Sequence, residues 1–206
     1  MSDATQALRV AFQGERGAFS EEAAVRLLGA RVTLVPRPTF ESLFAAVAEL
    51  VADCALAPLE NSIAGSVQRS YDLLLESAFH ITGEVIIPIR HYLIGCPGAS
   101  FDSVEAVESH PVALAQCERF FAAHTHLRRV AAEDTAGSVA QVVRNGDPTR
   151  AAIAGMRAAE IYGGSILRER LEDDGRNQTR FVLLKPSPEV SDGADKLSLV
   201  VNLPRT

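Results

Sequence analysis

The sequence lacks the features that mark several common classes of protein. No apolar run approaches the roughly 20 residues that a membrane-spanning helix needs. The N-terminus has no basic region followed by an apolar one, so we predict no signal peptide. With a net charge of −6, the chain also lacks the positive surface with which general nucleic-acid binders neutralise phosphates. We therefore expect a cytoplasmic protein that binds neither membranes nor nucleic acids.

Cysteine and the usual cofactor motifs are scarce as well. Cys54, Cys96 and Cys117 are an odd number without short-range spacing, which is typical of buried thiols in a reducing compartment. The sequence contains no phosphate loop, dinucleotide fingerprint or G-x-S-x-G elbow, and its histidines show no H-x-x-x-H spacing. We interpret the acidic run at 172–174, before Gly175, as a solvated turn. The sequence thus predicts no metal and no cofactor.

What is present is an alternation of short apolar strands with helical patterns. The predicted strands span 9–14, 31–36, 54–62 with a polar loop at its end, 104–108, 127–131, 150–154 and 179–186. The predicted helices span 20–29, 39–52, 66–77, 111–123, 135–145 and 156–162. Strands that alternate with helices in this way predict an α/β fold with parallel-rich sheets flanked by helices.

One β-rich segment, residues 80–98, breaks the alternation because no helix interrupts it. It is too long for one ordinary strand, so it suits a chain that leaves one sheet and enters another. We therefore predict two lobes with a cleft between them. The first lobe comprises residues 1–88 and 177–190, the second comprises 89–176, and residues 191–206 form a linker and a further strand.

Polar side chains follow the predicted strands and begin the next helices. They include Ser20, Asn61 and Ser62 in the first lobe, and Ser109, Asp134 and Thr135 in the second. Each residue could simply cap a helix. Together, several helix N-termini around one cleft could instead bind carboxylates or phosphates. Under the second interpretation, the cleft would suit a polar, anionic small molecule.

The stretch Asn177 to Arg180 sets polar side chains directly against the apolar run Phe181–Leu184. The chain returns here from the second lobe to the first, so we expect these residues at the hinge, facing the cleft. An alternative stays open, in which Thr179 is an ordinary β-branched edge residue and Arg180 a surface charge.

This stretch, "NQTRF", is similar to the N-x-T-R-F signature of the prephenate dehydratase family. The segments "GERGAFSEEAA", "PLENSIAGSV", "ESHPVALAQCERF", "DTAGSVAQVV" and "AAIAGMRAAEIYGG" resemble further motifs of that family in the same order. Leu59 stands where isoleucine or valine is usual, and Val112 stands where glutamine is common. The resemblance covers residue 9 to about residue 186.

The resemblance implies a two-lobed fold like that of the type 2 periplasmic solute-binding proteins, with the active site in the cleft. It also implies a lyase that converts prephenate to phenylpyruvate, water and carbon dioxide in phenylalanine biosynthesis. The threonine that the family needs for activity falls on Thr179. We predict that the substrate is bound by Arg180, Phe181, Glu60, Asn61, Ser62, Ser109, His110, Thr135 and Ser20.

The implied chemistry is compatible with a cleft that holds no cofactor. Prephenate is a non-aromatic dicarboxylate, and loss of its hydroxyl and one carboxylate creates an aromatic ring. The enzyme must orient the carboxylates and supply a proton to the departing hydroxyl. Our hypothesis is that Thr179 protonates this hydroxyl while Arg180 or a helix N-terminus holds a carboxylate.

Two other functions stay open at this point. Parts of the chain, such as "SYDLLLE" and "HITGEV", also resemble plant-type arogenate dehydratases, which act on the amino analogue of prephenate. The same fold could also serve as a small-anion binding module without catalysis.

The C-terminus differs from the family pattern, in which an ACT domain that binds phenylalanine usually follows. "KLSLVVNLPRT" resembles the first strand of that domain, so the resemblance leads us to expect either a truncated chain or a shortened form. We expect a homo-oligomer whose regulation by phenylalanine is lost.

Overall fold

The computed structural model describes residues 7–189 and 193–199. The strands are β1 Leu8–Gln13, β2 Val32–Arg37, β3 Cys54–Asn61, β4 Gly65–Ser66, β5 His80–Pro88, β6 Tyr92–Gly95, β7 Ala106–Ser109, β8 Arg128–Ala131, β9 Arg150–Ala154, β10 Ser165–Arg168 and β11 Gln178–Lys185. The helices are α1 Phe19–Leu28, α2 Phe40–Ala48, α3 Gln68–Glu76, α4 Pro111–Ala115, α5 Glu118–Ala123, α6 Thr135–Asn145 and α7 Met156–Tyr162. A 3₁₀ turn spans Phe101–Ser103.

The first sheet has the order β2-β1-β3-β11-β5, with β4 beside β3. Strand β1 is parallel to β2 and β3, whereas β11 is antiparallel to both β3 and β5. Strands β1, β2, β3 and β5 therefore share one direction. Their carboxyl ends lie at the same edge of the sheet as the beginning of β11.

The second sheet has the order β10-β6-β9-β7-β8. Strand β7 is parallel to β8 and β9, and β6 is antiparallel to β9. Strand β10, which the sequence did not predict, pairs with β6 at the sheet margin. Both sheets are thus mixed and flanked by helices, and the predicted α/β fold class with two sheets is confirmed.

The chain passes between the sheets twice. The predicted β-rich ribbon is split, because β5 ends at Pro88 in the first sheet and β6 begins at Tyr92 in the second. The return path connects β10 to β11, which begins at Gln178. These crossings bring together the polar edges of the two sheets. The division into lobes at residues 88 and 177 stays a prediction.

Apolar packing holds each sheet to its helices. It also joins the two halves of the molecule, by which we mean each sheet together with its own helices. One cluster packs α2 and α3 against the first sheet, another packs α1 against its other face, and a third fills the second sheet beneath α4 and α5. A fourth cluster crosses between the halves, where Phe12 of β1 packs with Ile94, Ala152 and Ala158. Burial of these side chains stabilises the contact between the two sheets.

A close backbone approach and a buried ion pair reinforce that junction. Gly17 has φ of +87°, and a Cβ at this position would lie 2.8 Å from the Cα of Ala158 in α7. The fully buried carboxylate of Glu21 accepts hydrogen bonds from Arg16 at 2.7 Å and from Arg157 at 2.7–2.8 Å. Burial alone would raise the pKa of Glu21, but these bonds outweigh it and the pKa falls below its usual value.

The predicted helix 111–123 is in fact two helices. Helix α4 ends before Gln116, and α5 begins again at Glu118. The carboxylate of Asp173 accepts hydrogen bonds from the backbone N–H groups of Glu118 and Arg119, both at 2.9 Å. This carboxylate satisfies donors that α5 leaves unpaired at its start, so a distant acidic residue stabilises the break.

The interpretation of the acidic run at 172–174 as a solvated turn is right for Asp174, whose side chain is 37% exposed just before the turn at 175–176, but wrong for Glu172. Glu172 has a side chain only 3% exposed, and it accepts a hydrogen bond from the backbone N–H of His91 at 2.9 Å. Asp174 pairs with Arg176 at 2.8 Å. The three carboxylates stabilise the segment between β10 and β11, because each accepts a hydrogen bond in the folded chain.

Three further expectations concern the cysteines, the membrane and the C-terminal strand. Cys54, Cys96 and Cys117 are buried and free, as predicted. No helix within residues 7–189 and 193–199 is long and apolar enough to cross a membrane. The further strand predicted within residues 191–206 lies partly outside the described residues, and the described part, residues 193–199, contains no strand.

Candidate active site

The site begins at an irregularity between β3 and β11. Arg180 lies opposite Glu60, but Phe181 lies opposite Pro58, so Leu59 is an extra residue in β3. Bulges of this kind change which side chains share a face of the sheet. Here the bulge places Asn61 directly opposite Thr179.

The orientation of the Asn61 amide is set by the backbone of its own loop. Its Oδ1 accepts hydrogen bonds from the N–H groups of Ile63 at 3.0 Å and Ala64 at 2.7 Å. Its Nδ2 must therefore face β11, where it donates to the Thr179 Oγ1 at 2.9 Å. Thr179 is buried, and its oxygen serves as an acceptor in this bond. The hydroxyl proton of Thr179 is thus left to be donated elsewhere.

The same amide begins a chain of hydrogen bonds towards the second sheet. Asn61 Nδ2 also donates to the Oδ1 of Asn177 at 2.8 Å, and the Nδ2 of Asn177 donates to the Oε1 of Gln116 at 2.9 Å. The Nε2 of His91 lies 2.9 Å from that same Gln116 oxygen. We call these four residues, Asn61, Asn177, Gln116 and His91, the amide chain. It connects Thr179 with side chains from both crossings of the molecule.

Sequence reasoning found only part of this arrangement. Thr179 and Asn61 were predicted, and Asn177 was expected at the hinge. Gln116 lies within the segment "ESHPVALAQCERF", and this position is its only signal in the sequence. His91 belongs to no metal-ligand spacing that would mark it. Nothing local to the sequence indicates that a chain of amides would reach it.

Ser62 ties the loop after β3 to the start of β11. Its hydroxyl donates to the carbonyl of Arg176 at 3.1 Å and accepts from the N–H of Gln178 at 3.0 Å. Its own N–H donates to the carbonyl of Gln178 at 2.9 Å. These three bonds make Ser62 a structural fastener of the site, and its predicted contact with substrate stays a prediction.

Arg180 lies on the other side of β11 from Thr179, because successive strand residues point to opposite faces. Its Nε donates to the carboxylate of Glu84 at 2.8 Å, and its Nη1 lies 3.7 Å from the carboxylate of Glu60. Tyr71 donates its hydroxyl to Glu60 at 2.7 Å. We call Arg180, Glu60, Glu84 and Tyr71 the ionic cluster. The structure therefore does not bring the Arg180 guanidinium to the Thr179 hydroxyl.

Charge in the ionic cluster is compensated locally. The pKa of Glu84 is lowered, chiefly by a hydrogen bond from Lys196. Burial acts in the opposite direction, and the hydrogen bond from Arg180 lowers the pKa further. Burial and the nearby Glu60 raise the pKa of the Tyr71 phenol. Phe181, in contrast, lies on the same face of β11 as Thr179. It is only 2% exposed and packs within the core beside α1.

Two of the predicted residues in the second half occupy the carboxyl end of β7. Ser109 is fully buried, and its hydroxyl donates to the carbonyl of Ile153 at 2.6 Å. His110 precedes Pro111 and caps α4, where its Nδ1 accepts from the N–H of Val112 at 3.2 Å. Both side chains thus have structural partners, and their contacts with substrate stay predictions.

The other two predicted residues lie at helix starts. Thr135 is the first residue of α6, whose cap is Asp134, with a carboxylate that accepts from the N–H of Gly137 at 2.6 Å. Ser20 is the second residue of α1 and is buried. Acidic side chains stand at both helix starts, since Asp134 caps α6 and the first turn of α1 contains Glu21 and Glu22.

A cation that was not selected from the sequence lies beside the start of α1. Arg16 bonds Glu21 only through Nε, and its side chain is 49% exposed. Within the described part of the chain, its terminal nitrogens have no hydrogen-bond partner. Because Arg16 follows the carboxyl end of β1, it lies at the same polar edge as Asn61.

An open pocket of about 310 Å³ lies next to the loop after β3. It is lined by Glu60, Asn61, Ser62, Gly65, Ser66 and Gln178. Gln178 and Glu60 belong to the side of β11 that Arg180 occupies, so this pocket is not the space into which the Thr179 hydroxyl points. Among residues 7–189 and 193–199, no three His, Cys, Asp or Glu side chains form a group that could hold a metal ion.

Comparison with known proteins identifies the family. The family model described as prephenate dehydratase matches residues 10–189. Arogenate dehydratase 3, chloroplastic, from Arabidopsis thaliana is 44% identical over 201 residues, which are 94% of this chain and 46% of the relative. The chain spans about half the length of the curated relatives that it matches.

Two solved structures share the fold over most of the chain. Prephenate dehydratase from Arthrobacter aurescens, in complex with L-Phe, is 27% identical with a TM-score of 0.83, over 91% of this chain and 63% of that one. GqqA, described as a novel type of quorum quenching acylase, is 35% identical with a TM-score of 0.79, over 88% of this chain and 65% of that one. With the family model matched over residues 10–189, this chain belongs to the prephenate dehydratase family.

Proposed function

We propose that this chain is the catalytic part of a dehydratase that converts prephenate to phenylpyruvate, water and carbon dioxide, a lyase step in phenylalanine biosynthesis. The observation that carries the proposal is the state of the Thr179 hydroxyl. Its oxygen accepts from Asn61, and its proton is free to be donated. This is the arrangement that a proton donor to a departing hydroxyl needs.

The proposed reaction is a coupled loss of two groups. As the bond between the ring and its carboxylate breaks, its electron pair enters the ring and becomes part of the aromatic system. The bond from the ring to the hydroxyl breaks at the same time, and the leaving oxygen takes a proton from Thr179 to form water. Thr179 recovers its proton from solvent, so one proton is consumed for each carbon dioxide released.

Asn61 strengthens Thr179 as a donor in this scheme. A hydroxyl that accepts a hydrogen bond becomes a better donor in its own bond, because hydrogen bonds in series polarise one another. Threonine is a weak acid, so the hydrogen bond to the developing negative charge supplies much of the effect. The rigid placement of Asn61 by Ile63 and Ala64 keeps this donor aimed without reorganisation.

The two carboxylates of prephenate need different surroundings. The one that leaves as carbon dioxide loses its charge in the transition state, so a tight ion pair with it would slow the reaction. The carboxylate of the pyruvyl side chain keeps its charge and can be held by a cation. We assign this role to Arg16, because its terminal nitrogens are free among the described residues. Arg180 is already in contact with two carboxylates.

Arogenate is the alternative substrate, and the names of the relatives favour it. It carries an ammonium group where prephenate carries a keto oxygen, and the proposed chemistry at Thr179 is the same for both. We place prephenate first because the matching family model is described as prephenate dehydratase and because the amide chain beside Thr179 consists of neutral side chains, none of which is a carboxylate that could pair with an ammonium group. The absence of catalysis, in a small-anion binding module, is the third outcome to be tested.

The acylase named among the solved structures suggests a different role for a hydroxyl. An acylase that uses a hydroxyl nucleophile needs a base beside it to take its proton. The partner of Thr179 is the amide nitrogen of Asn61, which donates and cannot accept that proton. The geometry therefore favours Thr179 as a proton donor over Thr179 as a nucleophile.

The test is a direct assay of the purified chain with prephenate and, separately, with arogenate. Formation of phenylpyruvate from prephenate is the expected result. Formation of phenylalanine from arogenate alone would keep the mechanism and change the substrate. A folded protein that turns over neither would overturn the proposal for this chain. Cytoplasmic location, a homo-oligomer and lost regulation by phenylalanine stay predictions.

A further inference from the structure

We propose that His91 is a positioning residue, which acts through the amide chain to hold the Thr179 hydroxyl in its catalytic orientation. The inference rests on the proposed function for its effect on turnover, but its structural part stands apart from turnover. His91 is 1% exposed and belongs to the short segment between β5 and β6, where the chain passes from one sheet to the other.

The direction of every hydrogen bond in the amide chain follows from its first member. Asn61 must present Nδ2 to Asn177, because its Oδ1 already accepts two backbone N–H groups. Asn177 must then present Oδ1 to Asn61 and Nδ2 to Gln116. Gln116 must therefore accept this bond with its Oε1, and a carbonyl oxygen can only accept. The Nε2 of His91, 2.9 Å from that oxygen, must therefore carry a proton.

This sequence of constraints fixes the tautomer of His91. With Nε2 protonated, a neutral imidazole has an unprotonated Nδ1. That nitrogen is buried and has no hydrogen-bond partner within the described residues. Burial is the largest influence on His91 and lowers its pKa, while the bond to Gln116 and the charge of Glu172 oppose that effect. The ring is therefore neutral near pH 7.

The groups that face His91 are consistent with a neutral ring. Glu172 is occupied by the backbone N–H of His91 at 2.9 Å and by the guanidinium of Arg90 at 3.5 Å. The ring of Phe19 meets the imidazole edge-on, with centroids 5.8 Å apart. The carboxylate is thus turned to the backbone and to Arg90, and an apolar ring covers the imidazole.

His91 is also bonded to the second crossing of the chain. Its carbonyl accepts from the N–H of Leu171 at 2.9 Å, and the neighbouring Ile89 donates to the carbonyl of Asn177 at 2.9 Å. The amide chain therefore spans both connections between the sheets. A displacement of one half against the other would move Gln116 relative to Asn177 and, through Asn61, would change how Thr179 is held.

The first experiment observes the tautomer itself. The protein is labelled with ¹⁵N at histidine, and the ring nitrogens of His91 are assigned by comparison with the His91→Gln variant. The expected result near pH 7 is one protonated nitrogen at Nε2 and one unprotonated nitrogen at Nδ1. A ring protonated at Nδ1, or at both nitrogens, would overturn the inference even if the chain proves to have no dehydratase activity.

The second experiment compares two substitutions in steady-state kinetics. His91→Gln places an amide N–H near the position of Nε2, whereas His91→Leu has no donor. We expect His91→Leu to lower kcat between about tenfold and about a hundredfold with KM nearly unchanged, because misplacement of a reacting group acts on the chemical step. His91→Gln should recover most of that loss.

Controls separate positioning from a merely structural role. Both variants are compared by thermal unfolding, and if His91→Leu does not fold, His91→Asn, whose shorter amide cannot reach the Nε2 position, replaces it. Equal loss of kcat in the variants with and without a donor would contradict the inference. A wild-type chain without turnover would refute the proposed function and would leave the NMR result to decide the tautomer.

Discussion

The two neighbouring residues Thr179 and Arg180 face very different surroundings on opposite sides of β11. Thr179 meets Asn61 and the neutral side chains of the amide chain, whereas Arg180 meets the carboxylates of Glu84 and Glu60. Among the residues that the structure describes, the side chain bonded to Thr179 is the Asn61 amide, which cannot take its proton, so that proton stays available. The ionic side instead anchors the strand that carries Thr179. Under the proposed function, Thr179 acts in the chemistry and Arg180 supports the strand, although the two residues are consecutive in one motif.

The largest effect is expected from Thr179→Val, which removes the hydroxyl and keeps the shape. We expect kcat with prephenate to fall by about 10²- to 10⁴-fold, the range attributed to a positioned proton donor. The Thr179→Ser variant, which keeps a hydroxyl, is the matched control and should retain a measurable fraction of kcat. A valine variant as active as the wild type would show that this side of β11 is not the site of chemistry.

The next largest effect is expected from Asn61→Asp. The carboxylate can still accept from Ile63 and Ala64, but it cannot donate to Thr179 or to Asn177. We expect kcat to fall by about 10- to 100-fold, because an aimed partner is lost. Thermal unfolding of the variant serves as the check on folding. Unchanged kcat would mean that turnover does not depend on the hydrogen bond that Asn61 donates to Thr179.

A smaller effect on turnover is expected on the ionic side. Arg180→Met leaves Glu84 and Glu60 without their guanidinium, so it should lower the free energy of unfolding by about 1–3 kcal/mol. Its kcat should fall less than that of Asn61→Asp. Urea unfolding and steady-state kinetics on the same preparation measure both quantities. A rise in KM without loss of stability would instead return Arg180 to the predicted role of substrate ligand.

The smallest effect is expected from Glu84→Gln, and it should depend on pH. The pKa of Glu84 is lowered in the folded protein, so its ion pairs stabilise the fold above the carboxyl pKa of the unfolded chain. That contribution is lost as pH falls through the lowered pKa. Unfolding curves of wild type and variant should therefore differ near pH 7, by up to about 1 kcal/mol, and converge in acid. A difference that persists in acid would exclude the ion pair as its cause.

The sequence was sufficient for the α/β fold class with two sheets and for the selection of Thr179 and Asn61, which contact each other in the structure. Alternating strand and helix patterns indicated the α/β class, and the "NQTR" segment pointed to Thr179. The pairing of Thr179 with Asn61 depends on the bulge at Leu59, which no local pattern reveals. The strand period of two predicts that Thr179 and Arg180 point to opposite faces of β11, whereas the motif resemblance alone does not distinguish their surroundings.

The remaining parts of the site depend on contacts between distant segments. Gln116 contacts Asn177 because it lies at the break between α4 and α5, where the carboxylate of Asp173 caps the start of α5. His91 joins them because two crossings of the chain run side by side. Such contacts arise from tertiary packing, so the periodicity of each segment by itself could not reveal them.

The most direct test of the central claim is a crystal structure of the Thr179→Val variant with prephenate bound, since this variant should hold the substrate without converting it. The account predicts that the ring hydroxyl of prephenate lies against position 179, on the side of β11 that faces Asn61. A substrate whose hydroxyl lies elsewhere, with its leaving carboxylate paired to Arg180, would contradict it.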